Sequence, residues 1–346
     1  MEFEATKAKL TSLATNLNIS GTTITDFSWL VKFEGVVPHM YKDSEGKITV
    51  GIGHNISGNG GKADMARLSF ELKDQTDLKM TNDAYLNKLG TLFTGYIKNS
   101  LPNSKAVPSI LVDLITNPAK LNVHFFKSTN NNILKKISFP KLAEFEYDHI
   151  QTLTGKNRKD YSLHTILNLK DSEILRMFQK DIDKLYGGLS KGFAKEQQPE
   201  KIQMALIDMS FNMGSGNTND KYPNLQNKLS KAVKSKTADN SDDYLSAALE
   251  THRDPGGNKN TENRNIFVAE CFFWVAASIM KKYNVSVKDI ENKLIETFKK
   301  YRNSPSIKNV HASIDCTGKL ENSITAIAAN PDNETQFKTS IKKYFP

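Results

Sequence analysis

The sequence is poor in the residues and runs that would place it in several common classes of protein. It has only two cysteines in 346 residues, Cys271 and Cys316, so a disulfide framework is not expected. Aromatic and apolar neighbours predict that Cys271 is a buried core residue. No apolar run approaches the ~20 residues of a membrane span, and no basic segment followed by an apolar one opens the chain as in an ordinary signal peptide.

Metal and nucleotide motifs are also missing. The seven histidines lack the spacing of a zinc site, and no HExxH motif occurs. The segment Gly51-Ile52-Gly53-His54 is not a dinucleotide loop, because Ile56 stands where that fingerprint needs its third glycine. Lysines are scattered along the chain, without an aromatic and basic motif that could stack bases. Neither a metal, nor a cofactor, nor a nucleic-acid partner is therefore expected.

What the chain does contain is sufficient for a sizeable core and an unusual surface charge. Hydrophobic residues make up 38% of the sequence and aromatic residues 9%, which is enough for two or three packed units in a globular protein. The formal net charge is +9, with an isoelectric point near 9.2. Such a charge predicts that the protein is attracted to an acidic partner.

The most informative segment begins with a short helix. Asp26 can cap it, apolar residues follow at helical spacing, and Gly35 can end it in a left-handed conformation. Glu34 then lies in the last turn, at the negative end of the helix dipole. This field disfavours the ionised carboxylate, as a general acid requires.

A hairpin follows the helix. Asp43 precedes a turn at residues 44–46, and alternating apolar residues from Ile48 predict the second strand. Glu34 and Asp43 are nine residues apart, and Thr49 lies six residues beyond. Glycosidases need one carboxyl group to protonate the leaving oxygen and a second to stabilise the sugar cation or activate water. The alternative is that both carboxylates are ordinary solvated surface charges.

Four segments resemble, in the same order, those of the phage-type lysozymes, a family of glycoside hydrolases similar to the lysozymes of the T-even phages. The first is residues 34–55, where a glutamate, an aspartate and a threonine precede Gly-Ile-Gly-His. Residues 178–183 are similar to the helix that links the two lobes of that family, and residues 205–214 are similar to its buried central helix. Residues 261–264 are similar to the segment whose arginine contacts the catalytic glutamate.

The resemblance implies a role for each matched residue. Glu34 would be the general acid, Asp43 the second carboxylate, and Thr49 the residue that positions water, with inversion at the sugar. In supporting roles, His54 would pair with Asp181, and Arg264 would contact Glu34. The substrate-binding residues would be Gly53, Phe211 and Asn212. The implied fold is α+β and mostly helical, with a small hairpin lobe and a larger helical lobe, and no metal or cofactor.

The chain is longer than compact members of this family, which predicts additional segments. We expect an N-terminal helical extension at 1–24, the hairpin lobe at 25–57, an insertion at 58–165, the linking helix and helical lobe at 166–283, and a helical extension at 284–346. Helices are predicted near 63–72, 84–97 and 110–115. Ser286 can cap a further helix with Val287, Ile290, Leu294, Phe298 and Tyr301 on one side.

The expected function is hydrolysis of the bond between N-acetylmuramic acid and N-acetylglucosamine in bacterial peptidoglycan, a wall whose carboxylates would attract a basic enzyme. The protein would act in the periplasm or cell wall as a monomer, as a phage endolysin or a delivered antibacterial effector reaching it by a non-classical route. The insertion or the tail could contact a carrier or a neutralising immunity protein. The alternative is a wall-binding module that kept the cleft without hydrolysis.

Overall fold

A computed structural model describes residues 2–57, 65, 67–72, 139–155, 158–165, 167–235, 240–253, 259–303 and 318–344. The described chain is mostly helical, with two small antiparallel sheets, which confirms the predicted α+β class. None of the described helices has both the length and the apolar composition that crossing a bilayer requires. The predicted helices at 84–97 and 110–115 and Cys316 lie outside the described residues.

The chain divides into two compact units. Unit 1 contains Met1–Leu10 and Glu34–Phe178, and unit 2 contains Thr11–Phe33 and Gln179–Pro346. The boundaries fall inside helices rather than in linkers. Helix α1 (Glu2–Leu13), helix α2 (Ser28–Glu34) and a later helix, α5 (Asp171–Gly187), each have residues in both units.

Unit 1 contains the predicted hairpin. Strand β1 (Val37–Lys42) pairs antiparallel with β2 (Ile48–Gly51), and β2 pairs with the short β3 (His54–Asn55). The register of the pair shifts between Val37 and Tyr41. The apolar residues of the hairpin are buried, because Ile48, Val50 and Ile52 are each at most 2% exposed.

A second sheet joins two segments that are distant in sequence. Strand β4 (Phe70–Leu72) pairs antiparallel with β5 (Leu167–Leu169), so Leu72 lies opposite Leu167. The helix predicted near 63–72 is therefore wrong for residues 70–72. The ladder supplies the reason, since a three-residue strand depends on a partner far along the chain and not on local pattern. It also brings Leu72 and Leu167, which are far apart in sequence, next to each other.

The described end of the predicted insertion packs into unit 1. It contains helices α3 (Phe139–Thr152) and α4 (Arg158–Tyr161), with Tyr147, Ile150 and Tyr161 at most 5% exposed. The ammonium group of Lys42 in β1 donates to two carbonyl oxygens at the end of α3, Gln151 O and Leu153 O, each at 2.7 Å. Helices α3 and α4 are therefore part of the core that supports the hairpin.

Helix α5 matches the predicted amphipathic helix. Ile174, Phe178 and Ile182 are at most 1% exposed, as their shared face requires. Leu185, predicted for this face, is only half-buried, and Tyr186 is buried instead. Asp171 in the first turn of α5 pairs with Lys9 of α1 at 2.6 Å.

The interior of unit 2 is built on two buried helices. They are α6 (Glu200–Met213) and α10 (Lys259–Lys282), which pack with three shorter helices: α7 (Ser215–Lys221), α8 (Pro223–Lys234) and α9 (Asn240–Ala248). Nine successive residues of α6, from Ile202 to Ser210, are buried, and Gly214 ends the helix with φ +81°, as predicted. Burial raises the pKa of the Cys271 thiol in α10, consistent with its predicted place in the core.

The predicted C-terminal extension is also part of unit 2. Its helices are α11 (Val287–Arg302), α12 (Ile324–Ala329) and α13 (Glu334–Lys342). Ser286 caps α11 by accepting a hydrogen bond from Asp289 N at 3.2 Å. Four of the five predicted apolar residues of α11 are buried, but Val287 is 52% exposed, because the first position of the helix lies at its solvent end.

Residues at the end of α13 and just after it contact a buried carboxylate. Glu270 in α10 is fully buried and accepts hydrogen bonds from Trp274 Nε1 at 3.2 Å and from the hydroxyls of Ser340 and Tyr344. Lys343 Nζ lies 3.1 Å from the same carboxylate. Burial, with the charge of Glu270, raises the pKa of Tyr344, so its phenol stays protonated and donates.

We expect Tyr344→Phe to destabilise unit 2, because it removes one donor from a buried charged acceptor. The expected loss is about 1.5–3 kcal/mol in the free energy of unfolding, measured by urea denaturation. Tyr283→Phe is the matched control, because Tyr283 is 46% exposed and should lose much less. Equal losses for the two variants would show that the C-terminal turn does not hold Glu270.

Candidate active site

The hairpin turn is organised by the carboxylate of Asp43. Its Oδ1 accepts hydrogen bonds from Glu45 N at 2.8 Å and Lys47 N at 2.9 Å. The backbone closes the same turn, since Asp43 N donates to Lys47 O at 2.9 Å and Gly46 N donates to Asp43 O at 3.1 Å. This network holds the half-buried side chain in one orientation through Oδ1.

Thr49 lies beside the other oxygen of this carboxylate. Its hydroxyl is 3.3 Å from Asp43 Oδ2 and 3.3 Å from Lys47 O, and the residue is only 3% exposed. A hydroxyl has one hydrogen to donate and two lone pairs that accept. The structure therefore brings together two of the three predicted catalytic residues, Asp43 and Thr49.

Glu34 is the last residue of α2, as the sequence predicted. Asp26 Oδ1 accepts from Ser28 N at 3.0 Å at the start of the helix, and Gly35 follows Glu34 with φ +74°. Glu34 is half-buried and belongs to unit 1 with Asp43 and Thr49. The helix stop and the hairpin thus place both carboxyl groups on fixed backbone within one unit.

The Gly-Ile-Gly-His segment has a conformational role. Gly51 and Gly53 both have φ +67°, where residues with a side chain are strained. A Cβ on Gly51 would also lie 3.4 Å from the side chain of Ile174. His54 follows as a half-buried residue of β3, opposite Val50. Its pairing with Asp181, which is in unit 2, stays a prediction.

Unit 2 contains a buried charge cluster around Asp208 of α6. Asp208 Oδ1 lies 3.0 Å from Arg264 Nε and 2.9 Å from Arg264 Nη2, and Oδ2 lies 3.1 Å from Arg253 Nη2. Asp208 is fully buried, and the two arginines are 3–5% exposed. One carboxylate therefore holds two guanidinium groups away from water.

Asn265 fixes the second arginine of this cluster. Its side-chain oxygen accepts from Arg253 Nε at 2.9 Å and Arg253 N at 3.2 Å, and its amide nitrogen donates to Arg253 O at 2.7 Å. Burial lowers the pKa of Arg253, whereas the charge of Asp208 raises it. The guanidinium stays charged, so the cluster carries more positive than negative charge.

Arg264 also lies against α2. Its guanidinium carbon is 5.1 Å from the centre of the Phe33 ring, a cation–π distance, and Phe33 directly precedes Glu34 in the chain. Phe33 packs in turn on Phe267 at 5.3 Å and Trp29 at 6.4 Å. The predicted contact between Arg264 and Glu34 stays a prediction, and Asp208 is an additional partner that the sequence did not indicate.

The remaining predicted site residues lie at the end of α6. Phe211 is half-buried and Asn212 is exposed, in contrast to the nine buried residues before them. This agrees with Asn212 as a residue that could reach a ligand. Its role in binding, like those of Phe211 and Gly53, stays a prediction.

Asp208 and Arg253 were missed because their partners are 45 and 56 residues away in sequence. The sequence did contain one signal, a single aspartate in a helix segment that is otherwise apolar nearly all round. A buried charge of this kind needs a buried partner.

Within the residues that the structure describes, no three His, Cys, Asp or Glu side chains are placed to hold a metal ion.

Comparison with known proteins identifies no relative: no family model, no curated protein and no solved structure matches the chain. The resemblance to phage-type lysozymes therefore depends on the four sequence segments. Further support for a function comes from the geometry of the residues in these segments.

We expect Asp208→Ala to cost about 3–5 kcal/mol of unfolding free energy, because it removes the buried carboxylate that the two guanidinium groups share. Asp208→Asn keeps an acceptor oxygen and should cost less. Urea denaturation measures both. As a control, Glu296→Gln removes an ion pair with Lys300 in which both side chains are more than 60% exposed, and it should change stability little. A Glu296 variant as unstable as Asp208→Ala would contradict this view of the cluster.

Proposed function

We propose that the chain hydrolyses the β-1,4 bond between N-acetylmuramic acid and N-acetylglucosamine in bacterial peptidoglycan. The observation that carries the proposal is the 3.3 Å contact between Thr49 Oγ1 and Asp43 Oδ2 on a hairpin that directly follows Glu34. A surface carboxylate that only capped a turn would need Oδ1 alone. Oδ1 is engaged by the two backbone donors of the turn, so Oδ2, beside Thr49, is the oxygen that we propose receives the proton of water.

In the proposed reaction, water held by Thr49 and Asp43 attacks C1 of the muramic acid residue. Asp43 Oδ2 accepts a proton from the water as the new C–O bond forms. Glu34 gives its proton to O4 of N-acetylglucosamine as the old bond breaks, and the two carboxyl groups later exchange the proton through solvent. The backbone donors on Oδ1 keep the base oriented, so little reorganisation is needed during the reaction.

Arg264 is proposed to orient the acid. Within unit 2, its position against Phe33 and its contacts with Asp208 hold its guanidinium in place, and its contact with Glu34 is what the resemblance implies. A rigid neighbour of this kind contributes by limiting the orientations of the carboxyl group.

The charge of the protein supports an acidic substrate. A formal net charge of +9 favours association with a wall that carries peptide carboxylates and acidic polymers. The proposal includes action on the wall of a bacterium, as an endolysin or a delivered effector. The alternative is a wall-binding module that does not hydrolyse its ligand, and the next experiment distinguishes it from the hydrolase.

We expect Glu34→Gln to reduce the rate at which purified wall sacculi lose turbidity by about 10²- to 10⁴-fold, because the variant keeps the shape of the acid but has no proton to transfer. Its melting temperature and its co-sedimentation with sacculi should stay close to those of the unchanged protein.

The matched control is Glu45→Gln in the same hairpin. The side chain of Glu45 is 67% exposed and its carboxylate pairs with Lys47, so this variant should keep its activity. If Glu34→Gln and Glu45→Gln both cleave sacculi at the normal rate, the acid role of Glu34 is refuted. If neither they nor the unchanged protein cleaves but all bind sacculi, the wall-binding alternative is supported.

We expect the reaction to invert the sugar configuration. Inverting glycosidases place water between carboxyl groups ~6.5–9.5 Å apart, whereas retaining ones, at ~5–5.5 Å, form a covalent sugar intermediate. A Thr49–Asp43 pair that holds water fits the first class. Proton NMR during the first minutes of cleavage should show the α-anomer at the new muramic acid end. A β-anomer, or a sugar trapped on Asp43, would contradict inversion.

A further inference from the structure

Lys42 connects the hairpin of unit 1 to a helix of the predicted insertion. It is the last residue of β1, pairs with Ile48 across the hairpin, and directly precedes Asp43. Its ammonium group donates to Gln151 O and Leu153 O, each at 2.7 Å, and both carbonyls lie at or just past the end of α3. The backbone next to Asp43 is thus joined to α3 by hydrogen bonds from a charged donor.

The end of a helix is a suitable place for this contact. The last carbonyl groups of an α-helix have no amide donor within the helix, and the helix dipole makes that end negative. A lysine ammonium group brings a positive charge and several donors. Lys42 therefore caps α3 from another element, through hydrogen bonds that are stronger than those between neutral groups.

Helix α3 is held in unit 1 by contacts of its own, so it can act as a fixed support. Ala143, Tyr147 and Ile150 lie on one face of α3 and are at most 5% exposed. Glu146 on the same face is fully buried, and its Oε1 accepts a hydrogen bond from Leu167 N of β5 at 3.2 Å. The core and the second sheet therefore set the position of α3, and Lys42 ties the hairpin to it.

The hairpin needs a support outside itself. Its strands have only six, four and two residues, and an isolated hairpin is at best marginally stable in water. The donors to Asp43 Oδ1 are Glu45 N and Lys47 N, which belong to the same turn. They orient the carboxylate within the turn, but they do not fix the turn relative to the rest of unit 1. The bonds from Lys42 to α3 do so.

We propose that Lys42 is a positioning residue, which by capping α3 holds Asp43 at the distance from Glu34 that the reaction needs. Attack by water opposite a general acid requires a defined separation of the two carboxyl groups, and a displacement of about 1 Å can lower a rate about 10²-fold. Lys42 acts through Asp43. Its part in catalysis rests on the proposed function, whereas its hold on the hairpin does not.

The first experiment compares variants of the full-length protein in the cleavage of purified sacculi. Lys42→Met should lower the maximal rate about 10- to 100-fold, while the sacculus concentration at half-maximal rate changes less than about twofold, because one catalytic group is displaced and the binding surface remains. Lys42→Arg, which can donate to both carbonyls, should recover most of the rate. Lys9→Met is the control, since the side chain of Lys9 in the same unit is 63% exposed and pairs with Asp171.

A double-mutant cycle with Asp43→Asn separates positioning from a general loss of structure. If Lys42 acts through Asp43, Lys42→Met should lower the residual rate of the Asp43→Asn variant less than about twofold, because the group that accepts the proton is already gone. A residue that only maintained the folded fraction would lower both rates by the same factor. Equal factors in the two backgrounds, or a normal rate for Lys42→Met alone, would overturn the proposal.

Hydrogen exchange tests the hold on the hairpin without any activity. Asp43 N donates to Lys47 O, and Lys47 N donates to Asp43 Oδ1, each at 2.9 Å. Lys42→Met should speed the exchange of these two amides about tenfold or more, and Lys9→Met should not. Unchanged exchange in Lys42→Met would overturn the proposal. If the unchanged protein does not cleave sacculi while Lys42→Met still speeds the exchange, the hydrolase is refuted and the hold of Lys42 on the hairpin is supported.

Discussion

The carboxylate of Asp208 is the constraint on which unit 2 depends. It is fully buried in a helix with nine successive buried residues, and it is shared by Arg253 and Arg264. Removing such charges from water is costly, so each guanidinium has to stay where the carboxylate can reach it. Asp208 thereby links α6, the segment before α10, and α10 itself. The position of Arg264 against Phe33 follows from this requirement.

A second constraint operates in the hairpin, where one side chain has two tasks. Asp43 Oδ1 closes the turn through two backbone donors, and Oδ2 contacts Thr49. Loss of Asp43 would therefore disturb the turn and the proposed chemistry together. Glu34 lies outside this turn, at the end of α2.

Local patterns in the sequence predicted the parts of the structure that local interactions determine. The hairpin around Asp43, the stop at Gly35, the amphipathic face of α5 and the cap at Ser286 all depend on residues a few positions apart. Features that depend on distant residues were missed. Strand β4 needs β5, and Asp208 needs two arginines more than 40 residues away.

The additional segments illustrate the same limit. Sequence patterns gave helices after residue 283 but did not indicate what those helices pack on. In the structure, Tyr344 contacts Glu270 and Phe337 packs on Trp274 at 5.7 Å, so the tail is part of the core of unit 2. An extension with no recognisable motif can thus be an integral part of the fold.

The most direct test of the account identifies the sugar ends that the protein creates. Purified sacculi are digested, the soluble fragments are reduced with borohydride, and the new ends are identified by mass spectrometry. The account predicts reduced N-acetylmuramic acid ends, since water replaces N-acetylglucosamine at C1. Reduced N-acetylglucosamine ends, anhydro-muramic acid ends or an absence of released fragments would contradict it.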